Sequence, residues 1–484
     1  GFRGATIRNI LQFELDYPNA RTVLLEQNYR STQNILNAAN AVITKNESRK
    51  EKNLWSDAGA GSPLTGYVAE SEHDEANFIA DEIRSLQREG VSTPGDTAIF
   101  YRTNAQSRVF EEVFMRNALP YKVVGGLRFY ERREVKDLLA YLRVLANAED
   151  EISLRRIINV PKRGIGDTSL DYVDLYARDN NISFWQGLLR CSEIGSVPAR
   201  AAQAINEFTS MISALSVLVE AKTKPSVIVE AALEQSGLLK ELADSTDPQD
   251  EVRVENLKEL VAVSMEYEER PFEELGEDEE ISLAGFLEKV SLVADADEIP
   301  EGEDHGGVVT MMTLHTAKGL EFPTVFLTGM EDGIFPHSRT LGEKDEIEEE
   351  RRLAYVGLTR ARQRLYISRA EYRSTWGAPN YNPPSRFLDE IPEDVIEWRN
   401  QSRTSLSPSL IKKSRTATAP PPRATGKKSV AMELAVGERV SHDTFGLGTV
   451  VSVAGAGDKA EATINFGNYG EKRLLLRYAP VEKL

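Results

Sequence analysis

Apolar residues along positions 21–125 alternate between short runs and helical spacing, a pattern that predicts α/β structure. Val23–Leu25 read as a short buried strand, and Ser31 or Thr32 can cap a helix through NILNAANAVI, where Ile35, Ala38, Ala39 and Val42 share one face. TAIFYRTNAQS at 97–107 starts as a second strand, its polar end falling where open α/β sheets place ligands, and a helix through RVFEEVFMRN follows. From 126 to 299 the spacing becomes helical, as in EVKDLLAYLRVLANA and ARAAQAINEFTSMISALSVLVEA. Strands return with GVVTMMTL from 307, TVFLTG at 324–329 and RLYIS at 364–368. Each strand-rich block is too small for a complete sheet, so the economical arrangement is one lobe split by a helical insertion.

Past Trp398 the chain turns to Ser, Thr, Pro and basic residues. Segment 399–430 carries eight Lys or Arg and no acid, and it buries too little apolar surface to fold, so it reads as a linker. Residues 431–484 alternate short β-runs with glycine turns, the mark of a small barrel.

Charge and cysteine content narrow the function. A net charge of −18 argues against coating nucleic acid by bulk electrostatics, and residues 266–280 alone hold nine acids, so any polyanion site must be local. The single cysteine, Cys191, permits no internal disulfide and reads as a buried thiol. No apolar run approaches the roughly 18–20 residues that span a bilayer, and the first residues lack a signal-peptide layout; the expected compartment is the cytoplasm, with no membrane partner.

Three segments carry candidate chemistry. LEQNYRST places Tyr29 beside Arg30, a ring and a guanidinium suited to a base and a phosphate; from these eight residues alone, a packed tyrosine and a surface ion pair carry more weight. TLHTAKGLEF at 313–322 gathers Thr313, His315, Thr316, Lys318 and Glu321 on a strand-to-helix turn that can meet phosphates and a ribose hydroxyl, or be a capped helix with solvated charges. His315 has no partner at metal-ligand spacing, and no metal site is expected. In EIEEERRLAYVGLTRAR the acids from Asp345 to Glu350 read as a solvated face, whereas Arg360, late on the same helix beside Gly357 and Thr359, can project toward a phosphate. In PKRGIGDTS, Lys162, Arg163, Gly164 and Gly166 form a basic glycine turn, with Asp167 or Thr168 as caps; duplex-phosphate binding and a plain tight connection stand even.

In this order, LEQNYRST, TLHTAKGLEF and RRLAYVGLTRAR closely resemble motifs IV, V and VI of superfamily 1 DNA helicases of the UvrD/PcrA type, and GFRGA at the start is similar to the end of their motif III. YRTNAQSR, GGLRFYERREVKDLLAYLR, NVPKRGIG and GMEDGIFPH also match family segments. The resemblance implies a RecA-like parallel-sheet lobe interrupted by a mainly helical insertion and followed by a linker and a Tudor/SH3-like barrel. Residues 1–20 would end the first RecA-like lobe, 21–125 and 300–398 would form the second, 126–299 would be the inserted subdomain, and 431–484 the Tudor-like module. It further implies ATP as substrate, with Tyr29 stacked on adenine, Arg30 and Arg360 at the γ-phosphate and Glu321 on the ribose. Phe2, Arg3, Arg102, Asn104, Thr313 and His315 would line a single-strand path. The turn with Lys162, Arg163, Gly164 and Gly166 would meet duplex DNA at a junction, and the barrel would bind RNA polymerase.

One departure matters. The sequence contains no G-x-x-x-x-G-K-[ST]; ATGKKS at 424–429 lacks the first glycine. The expectation is therefore the C-terminal portion of an ATP-dependent 3′–5′ helicase of DNA repair or replication, with Mg²⁺ and most phosphate ligands supplied elsewhere and little or no ATPase alone. A non-enzymatic adaptor for DNA or RNA polymerase is the alternative; a helicase–nuclease is disfavoured because a barrel, rather than a carboxylate cluster, follows motif VI.

Overall fold

The computed structural model describes residues 13 and 16–484, except 48, 50, 270–280, 296–305, 376–377, 401–433, 456, 458 and 459. Phe2 and Arg3, most of segment 1–20 and nearly all of the 399–430 linker thus lie outside the described residues. The chain folds into two compact units, 1–132 with 292–402 and 133–291 with 403–484.

In the first unit, β1 (Leu64–Ala69), β2 (Thr97–Tyr101) and β3 (Tyr121–Val124) precede the helical insertion, while β4 (Val309–Thr313), β5 (Phe322–Leu327) and β6 (Ala361–Ala370) follow it. A short ribbon, β7 (Arg373–Thr375) with β8 (Ala378–Asn380), leads to β9 (Ile396–Arg399). Seven strands form one parallel sheet in the order β3-β4-β2-β5-β6-β1-β9. Strands from the two sides of the insertion interleave, as the block sizes predict. Every residue of β2 is buried, the expected state of a parallel strand covered on both faces.

Alternation along the strands divides the core. Ile99, Tyr101, Met311 and Phe326 face α2 (Glu72–Arg88) and α3 (Ser107–Arg116); Ala98, Phe100, Met312 and Leu327 lie with α1 (Gln33–Thr44) and α13 (Lys344–Leu358). The helix at 33–44 buries Ile35, Ala38, Ala39 and Val42 as its spacing requires. Of the two expected caps, Thr32 takes the N-cap position, though its side chain makes no cap bond, and the Ser31 hydroxyl donates to Ala361 O at 2.6 Å. Val23–Leu25 are not a buried strand. Val23 and Leu25 are 65% and 77% exposed, and the nearby pairing is an isolated bridge between Gln27 and Trp55; an apolar triplet becomes a strand only where a neighbour accepts its backbone bonds.

The second unit holds α4 (Arg133–Ala146), α5 (Glu151–Ile157), α6 (Asp167–Asp179), α7 (Phe184–Leu189), α8 (Ala199–Glu220), α9 (Pro225–Ser236), α10 (Leu238–Ala243) and α11 (Pro248–Glu268), with α12 (Leu283–Asp295) reaching its end. Cys191 is buried there, its Sγ 3.1 Å from Asn206 Oδ1. A five-stranded antiparallel sheet, β10 (Arg439–His442), β11 (Gly446–Ala454), β12 (Glu461–Asn465), β13 (Glu471–Leu475) and β14 (Val481–Lys483), closes around Val440, Phe445, Val450, Ile464 and Phe466. Gly448 permits that closure, since a Cβ there would stand 2.6 Å from Ile464 and Phe466. Val217 of α8 joins this core, and Glu234 of α9 receives Arg477 at 2.8 Å and the Tyr478 hydroxyl at 2.5 Å.

A buried ion triad locks the first unit. Arg373 bonds Glu75 at 2.6 Å and Glu331 at 2.7 Å, and both carboxylates are fully buried. Ser368 Oγ and Gly329 N also donate to Glu75, and Ala370 N to Glu331, so the pairs are nearly saturated. Arg373→Met strands two carboxylates in the interior, and denaturant unfolding of the lobe should show a loss of about 3–5 kcal/mol.

Candidate functional site

Two clusters form on opposite edges of the seven-stranded sheet, an edge here being the row of strand starts or of strand ends and not a lateral strand. At the edge where β5 and β6 begin, Glu321 immediately precedes β5 and Arg360 immediately precedes β6. Residues 27–32 run alongside: Asn28 Oδ1 accepts from Arg30 N and Ser31 N at 2.8 and 2.9 Å, an Asx turn, and Thr32 N donates to Arg362 O. This turn aims Arg30 at Glu321, with which its Nε is paired, while Nη1 donates to Thr359 O at 3.3 Å.

Arg360 is corrected in two respects. It lies beyond the helix, one residue after the C-cap Thr359, and its guanidinium folds back instead of projecting. Nε donates to Val356 O at 3.1 Å, Nη1 to Leu320 O at 3.2 Å, and Nη2 to Thr359 Oγ1 at 3.4 Å. The last carbonyls of a helix lack intrahelical donors and carry partial negative charge, so a guanidinium just past the end satisfies them. Burial and the neighbouring Arg30 push the Arg360 pKa down, and the Arg30 bond pulls that of Glu321 down. The Glu321 carboxylate bonds Arg30 alone and feels the charges of Arg362 and Arg360 as well, so positive charge is in excess here. Tyr29 stands beside them 85% exposed, its hydroxyl held by Gln27 Oε1 at 2.9 Å.

Arg102, Asn104, Thr313 and His315 gather at the other edge, where β2 and β4 end. Thr313 Oγ1 lies 3.0 Å from Thr316 Oγ1, and Asn104 approaches Gly126 past the end of β3. Arg102 is paired with Glu350: Nη2 reaches Oε1 at 2.9 Å and Nε lies 3.0–3.1 Å from both carboxylate oxygens. His315 senses that pair. Burial first, then the Arg102 charge, lowers its pKa, while Glu350 and Glu349 work in the opposite sense.

The strand-to-helix turn expected at 313–322 is a strand-to-strand connection. Eight residues, 314–321, carry the chain from the end of β4 back to the start of β5, shorter than the usual parallel crossover of about a dozen residues or more. Leu314 and Ala317 are buried under α13, and a Cβ on Gly357 would meet Leu314 at 2.5 Å, so this close approach requires glycine.

The acids of α13 also differ from the expected solvated face. Glu348 and Glu350 are 4% and 5% exposed, and Glu350 additionally accepts from His337 N at 3.1 Å. Sequence reasoning missed Glu350, although a signal was present. It precedes Ala354 by four residues and Leu358 by eight, on the buried stripe of the helix, where an unpaired carboxylate would be costly.

In the helical unit, Lys162, Gly164 and Gly166 are exposed, Gly164 takes φ +78°, and Gly166 is the N-cap of α6, so Asp167 and Thr168 lie inside the helix rather than capping it. Arg163 is committed to the scaffold. Its Nη1 donates to Ile157 O, Ile158 O and Pro161 O at 3.2–3.3 Å, and its Nη2 to Tyr141 Oη at 2.7 Å and Ser236 O at 2.9 Å. No helix among the described residues is long and apolar enough to cross a membrane.

An insertion-split parallel sheet, bearing a cationic cluster on one edge and a polar cluster on the other and coupled in sequence to a small antiparallel barrel, is an architecture with relatives. The chain belongs to the UvrD-like helicase C-terminal domain family, which matches residues 23–372, and residues 436–483 match the PcrA/UvrD tudor domain. It is 53% identical over 497 residues to the ATP-dependent DNA helicase UvrD1 of Mycobacterium tuberculosis, with all of this chain and 64% of the relative covered. It is 44% identical over 489 residues to the ATP-dependent DNA helicase PcrA of Bacillus subtilis, with all of this chain and 65% of the relative covered. The chain thus spans about 64% of the length of the mycobacterial relatives it matches.

The electrostatics of the second cluster are directly measurable. An NMR titration should place the His315 midpoint below 6.5, so that the ring is neutral at pH 7, and Arg102→Gln should raise it. A midpoint at or above 6.5 in the unsubstituted chain contradicts the environment described.

Proposed function

We propose that this chain serves as the C-terminal portion of an ATP-dependent 3′–5′ DNA helicase acting in DNA repair or replication. It supplies an arginine pair, a ribose contact and an adenine platform to an ATP site whose P-loop and Mg²⁺ carboxylates come from other sequence. The observation that carries this reading is the convergence of Arg30, Glu321 and Arg360 beside exposed Tyr29 at one sheet edge. Two crowded guanidinium groups are best relieved by a polyanion, and a γ-phosphate offers charge-assisted bonds stronger than the neutral carbonyls that now occupy Arg360. Arg30 and Arg360 then stabilise charge that develops on the transferred phosphoryl group, Glu321 takes the ribose, and Tyr29 stacks on adenine.

Arg102, Asn104, Thr313 and His315 form part of a single-strand path at the opposite edge; the family resemblance assigns Phe2 and Arg3, which lie outside the described residues, to the same role. In the helical unit, Lys162 and the backbone around Gly164 and Gly166 contact a duplex junction, while Arg163 shapes that turn. The barrel binds RNA polymerase; its tudor-domain match supports a partner-binding module.

Steady-state ATP hydrolysis by the chain alone should stay at background with or without single-stranded DNA, because arginines of this kind act on a nucleotide that other groups bind and position. Addition of the P-loop-bearing portion of a PcrA relative should restore DNA-stimulated turnover, and Arg360→Ala should reduce it by roughly 10³-fold. Undiminished turnover in that variant overturns the assigned role. Core RNA polymerase should be retained by the full chain and lost when the chain stops at residue 398; equal retention removes the partner assignment from the barrel.

A further inference from the structure

Helix α13 runs from the β5 loop to the start of β6, so it crosses the sheet from the edge holding Arg102 to the edge holding Arg360. Glu350 lies eight residues before Leu358, about 12 Å along the axis. It is buried, it accepts a two-sided bond from Arg102 and a third from His337 N, and Nη1 of Arg102 makes no hydrogen bond among the described residues. Around it the helix is fixed further. Arg351 bonds Glu390 at 2.8 Å and Asn46 Oδ1 at 2.6 Å, and Glu348 accepts Glu47 N at 2.9 Å.

Resting on the helicase reading, we infer that Glu350 is a positioning residue: it holds the Arg102 fork so that Nη1 meets a DNA phosphate, and it ties that geometry to the helix that presents Arg360. A displacement of Arg102 by the DNA backbone therefore pulls on a rigid, side-chain-anchored element whose far end is the nucleotide edge. Helices transmit such a displacement because their hydrogen-bonded backbone deforms little over two turns.

The alternative role for a carboxylate beside a DNA-facing arginine is charge neutralisation, and the two roles predict opposite signs. Removing a negative charge near a polyanion path tightens binding if Glu350 merely neutralises Arg102. If Glu350 positions Arg102, Glu350→Gln weakens binding although the net charge rises by one.

The test uses the full chain and a fluorescent oligothymidylate, with circular dichroism as the check on folding. Glu350→Gln should loosen binding about tenfold, the scale of one charge-assisted bond. Arg102→Lys, which keeps the charge and loses the fork, should loosen it similarly, and the double variant should be little worse than either alone. Equal or tighter binding by Glu350→Gln overturns the inference. A second readout needs no DNA: amide exchange at Thr359 and Arg360, whose N–H groups bond Tyr355 O and Gly357 O, should quicken in Glu350→Gln. Unchanged exchange there overturns the coupling. Failure of the unsubstituted chain to bind oligothymidylate overturns the single-strand path itself, a result distinct from either outcome for Glu350.

Discussion

Parallel pairing between strands from opposite sides of the helical insertion is the constraint on which the lobe depends. β4 inserts between β3 and β2, and β5 and β6 separate β2 from β1, so neither strand block can complete a sheet without the other. Interleaving also places the functional groups. Arg30 lies well before the insertion in sequence and Glu321 and Arg360 follow it, yet all three meet because the first residues of β6 accept the Ser31 hydroxyl and the Thr32 backbone N–H. The buried Glu75–Arg373–Glu331 triad reinforces the same closure by joining α2, before the insertion, to strand ends after it.

Two connections cross this sheet from edge to edge, and each joins residues of one cluster to residues of the other. Segment 314–321 begins beside Thr313 and His315 and ends at Glu321. Helix α13 grips Arg102 through Glu350 near its middle and ends just before Arg360. They are packed together at Gly357 and Leu314, where a single added carbon would force them apart. A contact made at one edge is thus joined to the other through directly packed groups, a short path for mechanical coupling in a close-packed interior.

Much of the fold was legible because its signals are local. The strands at 97–101, 309–313 and 361–370 and the helices at 33–44 and 199–220 follow from spacing, and the barrel follows from β-runs between glycine turns. The misreadings arise where tertiary partners decide. Val23–Leu25 have strand-like composition but no sheet neighbour among the described residues, and Glu350 looks like one acid in a solvated run until Arg102, 248 residues away, claims it. Arg163 likewise has the sequence of a phosphate ligand and the geometry of a scaffold bolt, because five oxygen acceptors from three segments surround it. Arg360 stands out in the sequence, but its folded-back pose depends on helix-end carbonyls that spacing alone does not reveal.

The proposed pairing of Arg30 and Arg360 in one anion site, at the sheet edge opposite Arg102, is open to direct measurement. ¹⁵N spectra of the arginine Nε groups, recorded on the full chain during titration with tripolyphosphate, test it most directly. The Arg30 and Arg360 signals should move together with one dissociation constant while Arg102, held by Glu350, stays in place at low ligand concentration. Independent movement of Arg30 and Arg360, or no movement while Arg102 shifts, would contradict it.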